Sequence, residues 1–412
     1  MSPSKQTQGL REALFRSAAK DVPNEVLTRI AYLASQSLRD VWALFSVCAP
    51  FRHSIMPTVI WEIIYHLLST FGLDNPRMFL VELQCVGGVV GGPTLLSAFS
   101  PTETDALAQA GFTNRLEIHI PSTLQAVRVV KKHLASAGYN MEQELDNDDA
   151  VGFAGVVLGY QDFGRTVPKV INYERNLSSS SSQACTVFVN ASPHSALTGV
   201  LELPTTLFMI YIEDGNLNLL YPHLSLRGKG LINAVEGRLD PPHPALQENF
   251  DGWDADAHKT HMDWFVGNMQ STGFDLKRSL NHFPEFANHQ CKVDSSCPAT
   301  ERRHNDGQEL RLPYAGGKSG PSSTVAWNLK ASWSCVQTST RDPSAFGENV
   351  PQGGRYVVGD QVYRDTPMYW ETGDEYGLGW FLKATHLNGD LEFRDCDVAE
   401  TLLAGLTLLD HV

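Results

Sequence analysis

The stretch CVGGVVGGPTLLSAF, residues 85–99, joins a short apolar run to two pairs of glycines and a proline. A short apolar run bounded by glycines is typical of a buried strand. Proline is accepted in the first turn of a helix, because the N–H that it lacks would have no partner there. We therefore predict a buried strand, a tight turn at Gly91 and Gly92, and a helix that begins at Pro93.

The chain that follows alternates between strand and helix patterns, which indicates an α/β layer. RLEIHIP, residues 115–121, alternates apolar with polar residues and predicts a half-buried strand, and LQAVRVVKKHLASAGY predicts an amphipathic helix that ends before Gly138. The remaining interpretations are strands at KVINYE and TVFVNA, solvated loops at MEQELDNDDA and at the serines of 178–182, more helix over SALTGVLELPTTLFMIYI, and short strands near STVAWNL and GRYVVG.

The preceding residues predict a group of helices. In DVPNEVLTRIAYL, residues 21–33, Asp21 can cap a helix whose first turn contains Pro23. A second helix begins at Ser37, and a short third helix breaks at Pro57 before a fourth. A segment of about 40 residues buries too little surface to cover all its own aliphatic side chains, so we expect it to dock on something else.

The pattern VPNEVLTRIAYLASQSLRDVWALFSVCAPFRHSIMPTVIW, residues 22–61, resembles the F-box in the order and spacing of its residues. Val22 stands where that family usually has leucine. The resemblance implies docking on the Skp-type adaptor of a cullin-RING ubiquitin ligase, with a client protein recruited by the rest of the chain. The alternative is that these helices pack on the α/β domain as ordinary core. The partner-binding residues implied are Pro23, Val26, Leu27, Ile30, Leu33, Leu38, Leu44, Cys48, Phe51 and Trp61.

Residues 80–235 resemble the nucleotidyltransferase fold in the form carried by uncharacterised fungal proteins, through VVGG with its helix, NRLEIHIP and AVRVVKKHLASAGY. In active members the glycine turn receives phosphate oxygens, and an acid-x-acid pair on the next strand holds magnesium. Here Arg115 replaces the first acid beside Glu117, and TVFVNA offers no third carboxylate.

A single carboxylate cannot offset the cost of dehydrating magnesium, so we predict a pseudoenzyme without a cofactor. Gly91, Gly92, Arg115 and Glu117 are then candidates for anion binding, although the glycines alone also fit a mere tight turn. The rival hypothesis is an active nucleotidyltransferase-like or ligand-binding protein without a ligase link. An active enzyme would combine Glu117 with Asp146 or Asp148.

Two clusters of metal-ligating residue types occur near the C-terminal half. His258 and His261 lie among aspartates, a pattern that is more often a solvated face. Cys291, Cys297 and Cys335, with His289 and His304, could assemble a zinc site, but the spacing of Cys291 and Cys297 is wider than in usual zinc pairs. Scattered structural thiols are the favoured interpretation, and no metal is predicted.

Composition and net charge disfavour several classes of protein. A net charge of −14 without a basic stripe disfavours nucleic-acid binding, and seven scattered cysteines argue against a disulfide framework. No apolar run reaches bilayer length and no signal peptide is visible, so we expect no membrane partner and a cytoplasmic or nuclear location.

The resulting fold class is α+β. It comprises a frayed lead-in at 1–20, an F-box-like helical module at 21–75, a mixed-sheet α/β nucleotidyltransferase-like domain at 80–235, and an irregular C-terminal region at 236–412 with short strands and a closing helix.

Overall fold

The computed structural model describes most of the chain between residues 22 and 364. The described residues are 22–100, 115–146, 169–175, 185–192, 195–201, 203–233, 265–291, 293–304, 306–314, 325–329, 355–358 and 361–364.

Among the described residues, the longer helices lie in the first third of the chain, which includes the predicted helical segment. The helices are α1 (Asn24–Ala34), α2 (Leu38–Phe45), α3 (Met56–Thr70), α4 (Pro76–Cys85), α5 (Pro93–Ala98), α6 (Leu124–Ser136), α7 (Ala196–Leu201) and α8 (Pro222–Ser225), with a π-helical turn at Phe51–Ile55 and helical turns at 265–271. The strands are β1 (Val89–Gly91), β2 (Arg115–Pro121), β3 (Asn140–Asp146), β4 (Lys169–Arg175), β5 (Cys185–Ser192), β6 (Ile210–Glu213), β7 (Asn216–Leu219), β8 (Lys229–Leu231), β9 (Asp275–Lys277), β10 (Arg302–Arg303), β11 (Leu310–Pro313), β12 (Val325–Asn328), β13 (Arg355–Val358) and β14 (Gln361–Arg364).

Eight strands form one mixed sheet in the order β11–β7–β6–β1–β2–β5–β4–β3. Only β2 and β5 pair in parallel within it, with Glu117 opposite Phe188 and His119 opposite Asn190. The other pairs in this sheet are antiparallel, including β1 with β2. The predicted α+β class with a mixed sheet is therefore confirmed.

Both faces of the sheet are covered near β2. Helices α5 and α7 contact β2 on the side of Glu117 and His119, whereas Ile120 faces Leu83 of α4. The alternation of RLEIHIP predicted a half-buried strand, and this was wrong: Arg115 to Ile120 are all buried. The polar side chains of this strand, such as Glu117 and His119, lie against the helices on that face of the sheet and not in water.

The helical segment packs directly on the sheet. The Trp61 indole of α3 stacks on the Tyr314 ring, with centroids 5.7 Å apart, and the Arg77 guanidinium lies 5.3 Å from the indole centroid. One buried apolar cluster runs from Ala31 of α1 to Leu329 after β12. The helices and the sheet thus share a continuous core, and α4 crosses the predicted boundary at residues 75–80.

Local signals explain most helix bounds. The Ser37 hydroxyl accepts from the Asp40 N–H at 3.2 Å and donates to its carboxylate at 2.8 Å, which caps α2 as predicted. The expected break at Pro57 was wrong, because Pro57 lies in the first turn of α3 and the π-helical turn leads into it directly. Asp21 lies outside the described residues, and α1 follows Pro23 without a side-chain cap.

Two further interpretations are corrected by the sheet. The start of MEQELDNDDA was expected to be a loop, but it forms edge strand β3, whose backbone pairs with β4. The stretch from Ser195 to Ile212 was expected to be helical throughout. Of the residues described there, only α7 is an α-helix, because Pro204 ends that pattern and β6 pairs with β1.

The other strands predicted from the sequence are present. KVINYE and TVFVNA lie in β4 and β5, and STVAWNL and GRYVVG contain β12 and β13. β11, from the region after residue 235, completes the sheet by pairing with β7. The predicted closing helix lies outside the described residues, and among the described ones no helix has the length and apolar content that a membrane span requires.

Candidate functional site

The first candidate surface is an apolar stripe on α1, formed by Val26, Ile30 and Leu33. Val26 is 46% exposed, Ile30 55% and Leu33 58%. The other side of the helix packs inward through Ala31, which is buried, and Leu27, which is partly buried. Side chains spaced at i, i+4 and i+7 on one helical face are the anchors that helix-in-groove partners use. We call these three residues the α1 stripe.

The other predicted partner-binding residues differ in how far they are buried. Pro23 is exposed at the start of α1. Leu44 and Trp61 are partly buried against the core. Leu38, Cys48 and Phe51 are buried, since α2 and the π-helical turn pack against α3. In this structure, therefore, α1 faces outward while the residues after it support its position.

The second candidate site surrounds Arg115 and Glu117 on β2. The Arg115 guanidinium donates to Glu117 Oε1 from Nη2 at 2.6 Å and from Nε at 3.1 Å. Its Cζ lies 5.3 Å from the centroid of the Phe188 ring. The two side chains are 8% and 1% exposed. The charge of Glu117 is thus met by a buried cation.

The glycine turn lies directly beside this pair. Gly92 has a φ of +90°, and a Cβ placed there would stand 2.6 Å from Glu117 Oε2. The Gly92 N–H donates to the Ile210 carbonyl at 3.2 Å, and Gly91 pairs with Glu117 across β1 and β2. An anion at this turn would have to displace these contacts, and the anion-binding role of Gly91, Gly92, Arg115 and Glu117 stays a prediction.

Of the two acids in the rival enzyme hypothesis, Asp146 does not lie beside this pair. Asp146 lies on β3, three strands from β2, which corresponds to about 14 Å at the usual strand spacing. Asp148 lies outside the described residues. On β5, the neighbour of Glu117 is Phe188.

His119 is a buried polar residue that the sequence interpretation missed. It is fully buried, and neither ring nitrogen has a hydrogen-bond partner among the described residues. Burial lowers the pKa of His119 to about 3, so the imidazole is neutral. A Cβ at Gly91 would stand 3.2 Å from the ring, and one at Gly199 would stand 2.5 Å from it. Two glycines thus make room for His119, a signal that a single sequence does not reveal.

The third candidate site is a polar cluster that lies where β6, β7 and β11 meet the helices. The Tyr211 hydroxyl and His304 Nδ1 lie 3.2 Å apart, and Arg311 donates to His304 Nε2 at 3.3 Å. Two carboxylates also flank this ring, with Glu213 Oε2 3.4 Å from His304 Nε2 and Glu309 Oε1 3.4 Å from His304 Nδ1. Arg311 also donates to Glu309 Oε2 at 3.1 Å.

The Glu213 carboxyl of this cluster has a pKa far from its ordinary value. Burial raises the pKa of Glu213 to about 7, although the nearby His304 works in the opposite direction. A cavity of about 530 Å³ opens beside the cluster, between the helices and β11. Its walls are formed by Trp42, Phe45, Arg52, Gly307, Glu309, Leu310 and Arg311.

The cysteines and histidines that were weighed as a candidate zinc site are partly assembled. His289, Cys291 and Cys297 lie together, whereas His304 belongs to the cluster of Tyr211 and Arg311. Cys335, His258 and His261 lie outside the described residues. The five cysteines in the described part of the chain form no disulfide with one another.

Comparisons of this chain with protein-family models, with curated proteins and with solved structures found no match.

Proposed function

We propose that this protein is an adaptor whose α1 stripe docks on the Skp-type adaptor of a cullin-RING ubiquitin ligase. The observation that carries the proposal is the exposure of Val26, Ile30 and Leu33 on one helical face. This face belongs to the segment whose sequence resembles the F-box. The proposal places the protein in the cytoplasm or nucleus.

The energetics favour a partner for this face. Fully burying a Val, Leu or Ile side chain stabilises by about 1.5–3 kcal/mol. Because each side chain of the α1 stripe is about half exposed, covering the rest would contribute about 1 kcal/mol per residue. The neighbouring buried residues keep α1 in place, so little ordering is needed on binding.

In this proposal the sheet recruits a client and performs no chemistry. Glu117 is held by Arg115, and its nearest neighbour on β5 is an aromatic ring. Two-metal phosphoryl transfer needs several carboxylates that converge on the ions. The described residues around Glu117 supply a cation in place of the second acid.

Binding of the purified full-length chain to a purified Skp-type adaptor, measured by calorimetry, tests the docking. Ile30→Asp places a charge in the centre of the α1 stripe, and we expect a loss of at least about 2 kcal/mol, which is about 30-fold in affinity. Leu124→Asp is the matched control, because Leu124 is 78% exposed on α6. The proposal is rejected if the wild-type chain does not bind, or if both variants bind as the wild type does.

The absence of chemistry is tested separately, with magnesium and labelled nucleoside triphosphates. We expect no transfer of a nucleotide to any acceptor. Transfer that disappears in Glu117→Gln would instead support the active nucleotidyltransferase alternative.

A further inference from the structure

The segment between the 3₁₀ turn at Pro284–Phe286 and β10 brings three metal-ligating side chains together. His289, Cys291 and Cys297 each offer one ligand atom, and these atoms all lie within 4.8 Å of one another. Cys291 Sγ and His289 Nε2 are 3.3 Å apart. Among the described residues, no other three His, Cys, Asp or Glu side chains converge in this way.

Successive turns bring Cys291 and Cys297 together in space, although they are widely spaced in the sequence. The Val293 N–H donates to the Gln290 carbonyl at 3.1 Å, and the Cys297 N–H donates to the Asp294 carbonyl at 2.9 Å. The Thr300 hydroxyl donates to that same carbonyl at 2.6 Å. The chain therefore folds back on itself between Cys291 and Cys297, which sequence spacing alone does not show.

The imidazole is oriented for metal binding. His289 Nδ1 lies 2.9 Å from the Phe286 carbonyl, and because a carbonyl can only accept, Nδ1 carries the proton. The lone pair is then on Nε2, the nitrogen that faces Cys291 Sγ. A backbone carbonyl that holds the second ring nitrogen is the usual outer partner of a metal-bound histidine.

The segment is also anchored to the sheet. The Arg302 guanidinium donates from Nη1 to the Ser295 carbonyl at 2.9 Å and to the Leu220 carbonyl at 3.3 Å. Cys297 is fully buried, whereas His289 and Cys291 are partly exposed. An ion could therefore enter from the side of His289 and Cys291.

We propose that His289 Nε2, Cys291 Sγ and Cys297 Sγ hold a zinc ion. Two thiolates and a neutral imidazole balance the charge of Zn²⁺, and this soft ligand set favours zinc over magnesium or calcium. Tetrahedral zinc places such ligand atoms about 3.5–3.8 Å apart, so the three atoms need to move by about 1 Å or less. Binding deprotonates the two thiols and releases two protons to solvent, and water completes the fourth position.

Metal analysis of the purified full-length chain tests this site. After removal of metal with a chelator under reducing conditions, we expect the chain to rebind one zinc ion. Cobalt loading should give the absorption of a tetrahedral ion together with thiolate-to-cobalt charge transfer. Zinc should also raise the midpoint of thermal unfolding, because the ion binds the folded state.

Cys291→Ser should abolish the charge transfer, the bound zinc and the zinc-dependent rise in the midpoint. Because Cys291 is partly exposed, this change is less disruptive to folding than one at Cys297. Cys85→Ser is the matched control, since Cys85 is an exposed thiol at the end of α4, and it should behave as the wild type does. His289→Gln provides a second loss-of-ligand variant that keeps both thiols.

Any one of several results would overturn the zinc site. They are a wild-type chain that retains no zinc, an octahedral cobalt spectrum, or equal zinc content in Cys291→Ser and Cys85→Ser. A Cys291–Cys297 disulfide in the reduced preparation would do the same. None of these results bears on the docking of α1.

Discussion

Replacing Arg115 with methionine should destabilise the protein by about 3–5 kcal/mol, because it leaves the buried Glu117 carboxylate without its cation. Glu117 is 1% exposed, so water cannot replace the guanidinium. Methionine approximates the length of the arginine stem and keeps part of its contact with Phe188, which limits any packing loss.

Adding Glu117→Gln to this variant should recover most of the loss. With both charges removed, no uncompensated charge remains buried, and we expect the double variant to lie within about 2 kcal/mol of the wild type. The coupling energy between the two positions should therefore reach about 2 kcal/mol or more.

Urea unfolding followed by tryptophan fluorescence and circular dichroism gives the free energy of unfolding of each variant. Lys132→Met is the matched control. Lys132 pairs with Glu82 at 3.0 Å, but its side chain is 65% exposed, so its removal should cost no more than about 1 kcal/mol. If Arg115→Met costs no more than Lys132→Met, or if the double variant is as unstable as the single one, the structural role assigned to the pair is wrong.

Two further substitutions test the glycine turn and the Glu213 carboxyl. Gly92→Ala should lower the free energy of unfolding by about 2 kcal/mol or more, because φ is +90° at this position and the new Cβ would collide with the Glu117 carboxylate. Gly267→Ala is the control, since no atom lies within 4 Å of the Cβ that it adds. It should leave the stability unchanged or raise it by up to about 1 kcal/mol. Equal unfolding midpoints in urea for these two variants would contradict the crowded geometry. The folded-state pKa of Glu213 is about 7 against an ordinary value of 4.5, so between these values the folded chain keeps a proton that the unfolded chain loses. The free energy of unfolding should therefore fall as the pH rises, by about 2–3 kcal/mol between about pH 5 and about pH 8. Glu213→Gln should remove that fall in urea titrations from about pH 5 to about pH 8, and parallel pH profiles of the variant and the wild type would refute the raised pKa.

The strands and helices with strong local signals were predictable. The apolar run before Gly91 and the proline after Gly92 gave β1 and α5, and the serine cap gave α2. These elements were predictable because the signals act between neighbouring residues and need no tertiary contact.

The failures have a common physical cause in tertiary packing. The strand RLEIHIP was expected to be half buried, because alternation of apolar and polar residues does not distinguish water from a second layer of helices. The segment of β3 is acidic enough for a loop, yet its backbone becomes an edge strand because β4 offers hydrogen bonds.

The candidate sites were predictable to different degrees. Periodicity marked the apolar face of α1, but it did not separate the exposed Ile30 from the buried Leu38 of α2. The cysteine spacing argued against a metal site, and only the turns between Cys291 and Cys297 bring the thiols close. The polar cluster of Tyr211, His304 and Arg311 joins residues about a hundred positions apart, which one sequence does not connect.

The stacking of Trp61 on Tyr314 has a mechanical consequence. Because the described helices and the sheet share one apolar core, they are expected to move together as a unit. A macromolecule bound to α1 would therefore have a fixed orientation relative to the whole sheet. The far edge of the sheet, at β3, would then lie at a fixed distance and direction from that partner.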